Sequence, residues 1–164
     1  MALFRRKTAS AGLTEAQMES MAAPAVAAFK AHLRPGEVMA EEFVLAHPCA
    51  IDPSTGTWHQ GPTSLLAVTN QVVVFADVTT GERLLEYDLL GLDWFQSKPD
   101  TCELMIQFTG VNKDLVQTIV ARSAGPTDWP LMFRSTLLGS IIDAMVVNWQ
   151  NQTGNEWDWA GMAP

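Results

Sequence analysis

Histidine, cysteine and paired carboxylates are the side chains with which a chain of this size could hold a metal, attack a carbonyl or move a proton. The sequence has three histidines, His32, His47 and His59, and two cysteines, Cys49 and Cys102. Structural zinc asks for cysteines two to four positions apart. Neither cysteine has such a neighbour, and the histidines are scattered over different segments. Glu41-Glu42 and Glu86 with Asp88 are the acidic pairs that a general acid and base would need. Carboxylates in strand-like sequence commonly mark a solvated face, and they are read so here. The chain has no Gly-x-x-x-x-Gly-Lys-Ser/Thr phosphate loop, no Gly-x-Ser-x-Gly elbow and no His-Glu-x-x-His pair. No catalytic residue, metal ligand or cofactor is assigned, and the expectation is a protein that is not an enzyme.

What remains is recognition chemistry. The chain carries six tryptophans, a residue type enriched at interface hot spots. Trp58 and His59 in a polar stretch, the pair Trp94-Phe95, and Trp157 and Trp159 near the C-terminus are the candidate partner-binding residues. Trp157 and Trp159 could equally tuck against the domain, and Trp58 could fold back over the core.

Composition bounds the alternatives. At 164 residues with 48% apolar and 17% charged, the chain is one domain with a sizeable core. Residues 1–34 carry a net +3 and the remainder −11. A body this acidic repels nucleic-acid backbones, so nucleic-acid binding is not expected. No apolar run approaches the roughly 18 residues of a membrane span, and the N-terminus lacks a secretory h-region, which points to the cytosol. Buried, reduced cysteines fit that compartment. Leu3, Phe4, Arg5, Arg6 and Lys7 form an apolar tip followed by a basic run, a candidate membrane tether that by itself binds only marginally.

The elements that must position these residues follow from periodicity. Residues 1–12 read as a flexible basic terminus and residues 13–34 as a helical extension. Thr14 and Gln17 have capping-box spacing. Met18, Met21, Ala22, Ala25, Phe29 and Leu33 recur as one apolar stripe that docks on the protein's own core. Pro24 falls inside it and should kink or split the helix near Ala22-Ala23. Residues 37–51 read as a first strand with a break near Glu41-Glu42, and Pro48 marks a strand end or an edge. Residues 52–63 form a long polar loop. Residues 64–95 alternate apolar runs with turn residues, the signature of consecutive antiparallel strands. Further strands follow over residues 102–108 and 115–121 around a turn at 110–113, about seven in all. Both cysteines lie in strand-like segments. Then comes a long helix with Asp128 as N-cap and Pro130 in its first turn. Leu131, Leu137, Leu138, Ile141, Ile142, Met145, Val146 and Trp149 make its apolar stripe, and residues 151–164 form a tail in which Asn151-Gln152-Thr153 matches a glycosylation sequon.

Three fragments carry a family resemblance. LRPGEVMAEE (residues 33–42), SLLAVTNQVVVF (residues 64–75) and GERLLEYDLLGLDWF (residues 81–95) resemble the opening, the strand–Thr-Asn–strand signature and the following Gly-turn strand of the bacterial PH-domain and GRAM group. The resemblance covers residues 33–150. It implies an α+β fold: a pleckstrin-homology-like antiparallel barrel of about seven strands over residues 35–150, capped by the C-terminal helix. It also implies self-association, which such bacterial domains show. The chain departs from phosphoinositide-binding relatives, since residues 47–63 contain no Lys or Arg to neutralise a phosphorylated headgroup. The functional expectation is a non-catalytic protein-interaction module, with a second copy of the chain as one candidate partner. Its alternatives are a peripheral membrane module held through the basic N-terminus and a small-ligand binder or enzyme using the barrel mouth.

Overall fold

The computed structural model describes residues 12–52, 54–98, 101–109 and 116–158. Helix α1 (Glu15–Lys30) opens with the expected capping box: Gln17 N–H donates to Thr14 Oγ1, and Thr14 N–H donates to Gln17 Oε1. It runs unbroken through Pro24, so the expected split does not occur. A proline removes one rung of the ladder. Here Ala25 and Phe29, just beyond it, are fully buried and hold the last turns on the sheet.

Eight strands follow among the described residues: β1 (Met39–Ile51), β2 (Trp58–Gln60), β3 (Ser64–Thr69), β4 (Val72–Asp77), β5 (Arg83–Asp88), β6 (Leu92–Lys98), β7 (Glu103–Thr109) and β8 (Val116–Ser123). All pair antiparallel in the order β5-β4-β3-β1-β8-β7-β6, with β2 a short arm on β1. The path ends on β5 and β6. The sheet is therefore open and not the closed barrel expected, because the 3₁₀ turn Leu89–Gly91 leads β6 away without pairing it to β5. Helix α2 (Leu131–Thr153) packs across β1, β3 and β6. The architecture is an open antiparallel sheet with a C-terminal helix packed across it.

Several local expectations are corrected by geometry. The break in β1 lies between Met39 and Phe43, where it was expected. Pro48, however, sits within β1 opposite Ala121 of β8 and is buried. In a strand, a residue's N–H and C=O point to the same side. Pro48 O accepts from Gly61 N–H at 2.7 Å, so its missing N–H falls in the gap between β2 and β3 and costs no ladder bond. The polar loop over residues 52–63 contains a hairpin closed by Asp52 N–H to Thr57 O at 2.9 Å. Cys102 is not in a strand; it takes φ +55° in the turn before β7. Both cysteines are buried, and no disulfide joins them. The N-cap of α2 is Pro130, not Asp128, and its carbonyl accepts from Phe133 and Arg134. The helix runs to Thr153 and stops at Gly154 in the left-handed conformation (φ +71°). With a mean hydropathy of 1.3, α2 is long and apolar enough to cross a membrane by composition, contrary to the sequence reading. Its apolarity serves the core, where Leu138, Ile141 and Met145 are fully buried. Leu131, placed on that stripe by spacing, is instead 47% exposed.

The core has two layers. Inside the curved sheet, Val44, Leu66, Val73, Phe75, Ile106 and α2 form one cluster. On the outer face Leu45, Leu65, Ala67, Val74 and Ala76 pack under Ala25 and Phe29 of α1. Both faces of β3 are thus covered, and every one of its residues is buried. Met18, Met21 and Leu33 lie partly buried against the outer layer, as their stripe required.

The turn after β4 seats against α1. Gly81 has φ +73°, and a Cβ there would lie 2.3 Å from the Ala28 carbonyl. Gly81→Ala should therefore cost about 3 kcal/mol from strain plus overlap with backbone. Gly56→Ala, with φ +67° and open space around it, should cost only about 1–2 kcal/mol. Urea midpoints of the two variants test the comparison.

Candidate functional site

An apolar opening lies at one end of the curved sheet. Strand β1 outruns β3: their pairing ends at Ala46 opposite Ser64, and β1 continues to pair with β2. On the other side β5 carries a bulge, since Leu85 pairs Phe75 while Arg83 pairs Ala76, leaving Leu84 without a cross-strand partner. Between the two lies an open trough of about 330 Å³ walled by Pro48, Ala50, Pro62, Leu84, Leu85 and Ile119, with Cys49 and His59 also on its wall. Helix α2 reaches the opposite end of β3, where Asn148 Nδ2 donates to Thr69 O at 3.2 Å.

Leu84 and Leu85 are 42% and 38% exposed on an edge strand whose outer side pairs with no other strand among the described residues. Trp58, on β2, is 50% exposed, and His59 beside it is fully outside the core. His59 Nε2 lies 4.0 Å from Asp52 Oδ2 across the hairpin. The Cys49 thiol is pushed up by burial, so it stays protonated and is no activated nucleophile. His32 and His47 are elsewhere: His32 donates to Thr80 O at 2.9 Å, and His47 Nδ1 sits 3.2 Å from Gly61 O. No group of three or more His, Cys, Asp or Glu that could hold a metal occurs among the described residues.

The remaining tryptophan candidates divide differently from the sequence reading. Phe95 is 1% exposed and belongs to the inner core, so no partner can reach it. Trp157 stacks on it at 5.2 Å between ring centroids and meets Trp149 edge-on at 5.2 Å. The left-handed Gly154 turns the chain back from α2, and this is what brings Trp157 onto β6. Trp94 is half-buried on β6. Trp159 and the tether residues Leu3, Phe4, Arg5, Arg6 and Lys7 lie outside the described residues, as does the turn expected at 110–113. Sequence reasoning missed Leu84 and Leu85, because nothing local marks β5 as the edge of the sheet. It also missed that Leu131, Met132 and Phe133 are exposed together. Three successive helical residues span about 200° of the helix surface, so they cannot all face one core, and that signal was available.

The densest polar cluster is structural. Glu37, whose side chain has no solvent exposure, accepts from Arg34 N–H at 2.9 Å, Thr69 Oγ1 at 2.9 Å, and both terminal nitrogens of Arg83. Arg83 also donates to Glu86 and to His32 O, and its guanidinium lies 5.3 Å from the centre of the Phe29 ring. Arg34 closes the cluster on Glu86 at 2.6 Å. Asn70 holds the same loop through Val38 N–H and Gly36 O.

No family model matches the chain, and no curated protein matches it. Among solved structures it is similar to the Ran-binding domain of the nuclear complex component Nup2 from Ashbya gossypii. The identity is 14% over 68% of this chain and 97% of that one, with a TM-score of 0.48. A likeness at that level identifies neither a family nor a partner for this chain.

Burial alone pushes the Glu37 carboxyl up; the donors from Arg83, Arg34 and Thr69 outweigh it and hold the group below the ordinary glutamate range. A depressed folded-state value stabilises above the unfolded pKa of about 4.3, and that contribution is lost as pH falls through the folded value. Glu37→Gln leaves Arg83 half-buried beside a neutral amide and should cost about 3 kcal/mol at neutral pH. The gap between wild type and variant should narrow at acid pH, below the ordinary glutamate range, as Glu37 takes up a proton. Urea unfolding at the two pH values reads both effects.

Proposed function

We propose that this chain is a non-catalytic protein-interaction module on a PH-like fold, and that the partner enters the trough at the open end of the sheet. The observation that carries this is the trough itself, an exposed apolar concavity flanked by the unpaired edge of β5. Contiguous exposed apolar surface marks a binding site on a soluble domain. An unpaired edge offers backbone N–H and C=O groups to an extended segment, while the trough receives that segment's apolar side chains. Trp58, half-exposed on the β2 arm beside it, supplies the kind of rigid aromatic anchor found at hot spots.

A small-molecule reading is less well supported. Ligand pockets combine an apolar wall with several convergent polar groups that fix orientation. Here His59 is the one titratable side chain on the wall apart from the protonated Cys49. Self-association is the same reading with a second copy as the partner.

Leu85→Glu places a charge in the trough on a residue that is already partly exposed. It should weaken capture of the partner about tenfold or more while leaving the melting temperature nearly unchanged. Affinity capture with wild type and variant, alongside light scattering of each, tests this. A partner or a dimer lost in Leu85→Glu supports the reading; equal retention by both proteins removes the trough from it. A stabilising metabolite found by thermal shift, with no retained partner, would instead favour the ligand reading.

A further inference from the structure

The charges around the trough and the direction in which β5 presents its backbone narrow what can occupy it. Residues 35–82 contain six carboxylates and no Lys or Arg. Three of the six border the trough. Asp52 lies 4.0 Å from His59 on the wall, Asp77 stands opposite Ser64, two residues from Pro62, and Glu82 immediately precedes the bulge at Arg83 to Leu85. Hydrogen bonds from Ser54 hold the Asp52 carboxyl below the ordinary aspartate range, and the Thr80 and Thr79 N–H groups do the same for Asp77, so both stay ionised. Among the described residues no Lys or Arg pairs with any of the three. The cations on neighbouring segments are already answered: Arg83 by Glu37 and Glu86, Arg34 by Glu86, and Arg122 by Glu103. With Lys30 of the last turn of α1 counted as well, Glu37, Asp52, Asp77, Glu82, Glu86 and Asp88 stand against Lys30, Arg34 and Arg83, a balance of −3.

The open side of β5 has a defined register. Leu89 N–H donates to Gln71 O at 3.0 Å, and alternate residues of an antiparallel strand bond the same neighbour. Tyr87 and Leu85 therefore turn their backbone groups toward β4, while Glu86 and Asp88 turn theirs outward. Side chains alternate too. Leu85 and Tyr87 stand opposite Phe75 and Val73 of the inner layer, and Glu86 and Asp88 opposite Val74 and Val72 of the outer one. A strand laid along β5 would set one face by the trough and the other beside carboxylates.

We propose that the trough takes an extended protein segment that alternates apolar residues with Lys or Arg. The segment adds to the β5 edge, with its apolar side chains on the side of Leu84 and Leu85 and its cations beside Glu86 and Asp88. This rests on reading the trough as a protein-binding site, and it names the chemistry of the partner. Backbone pairing attaches any extended chain, the trough selects apolar residues at alternate positions, and the acidic rim selects the sign of the others. Opposite charges on neighbouring strands stabilise their pairing, whereas an acidic segment would set like charges directly opposite. A second copy is disfavoured on the same ground, because residues 35–95 hold nine carboxylates against Arg83 alone.

Selection of random phage-displayed peptides on the full chain, followed by fluorescence anisotropy with a synthetic peptide of the enriched sequence, tests the proposal. The enriched peptides should alternate apolar residues with Lys or Arg, and their affinity should fall about tenfold or more as salt is raised. Leu85→Glu should abolish binding. Glu82→Gln combined with Asp88→Asn, which keeps an acceptor for Leu90 N–H, should weaken it about fivefold or more with the melting temperature nearly unchanged. Glu41→Gln with Glu42→Gln removes as much charge from β1, beyond β3 and β4, and should change affinity less than about twofold. Peptides lost in Leu85→Glu but uncharged or acidic, or bound equally at high salt and by the Glu82→Gln, Asp88→Asn variant, overturn this inference and leave the trough standing as a protein site. So does a dimer that Leu85→Glu dissociates, which would make a second copy the occupant. No enriched peptide, or peptides bound equally by Leu85→Glu, overturns both.

Discussion

A carboxylate sealed from water must be answered by donors on every side, and Glu37 is that group here. Its oxygens receive hydrogen bonds from the backbone of Arg34, the hydroxyl of Thr69 and the guanidinium of Arg83. These donors come from the loop after α1, from the end of β3 and from the start of β5. One side chain thus ties together three segments that are far apart in sequence, and it does so at the edge where α1 meets the sheet. The segments Pro35-Gly36-Glu37, Thr69-Asn70 and the start of β5 at Arg83 meet at this point. The cluster also explains why β5 can be an edge without fraying, since Arg83 and Glu86 fasten its outer-face side chains to the α1 loop.

The position of α1 has a second consequence. An antiparallel sheet with one wet face alternates apolar and polar residues. Strands β3 and β4 do not, because α1 closes the outer face while α2 and the facing strands close the inner one. Across the sheet, β7 does alternate, with Leu104, Ile106 and Phe108 buried and the residues between them half-exposed. The molecule is therefore well sealed on the side of β3 and β4, and its exposed apolar residues lie elsewhere, among them Leu84 and Leu85 beside the open end and Leu131, Met132 and Phe133 on the first turn of α2.

Much of the fold was legible from residue types in order. The capping box at Thr14 and Gln17, the Thr-Asn turn, the strand sequence from residue 64 onward and the long C-terminal helix all rest on interactions between near neighbours, and near neighbours are what a sequence displays. The bulge in β1 was legible for the same reason, since its apolar residues could not share one face. The candidate site was much less so. Of the two outcomes left open for Trp58 the structure shows the exposed one, Phe95 is buried, and Leu84 and Leu85 gave no local sign of their exposure on an edge strand.

What the sequence by itself determined is the set of elements, the acidic charge of the body and the basic character of the first residues, because each depends on composition and short-range periodicity. Only the tertiary structure decided that the sheet stays open, that Pro24 and Pro48 are absorbed without breaking their elements, and that Trp157 folds back onto Phe95. These depend on which surfaces meet across tens of residues. Burial of Ala25 and Phe29 overrides a proline's local preference, and a strand becomes an edge only when no other strand arrives to pair with it.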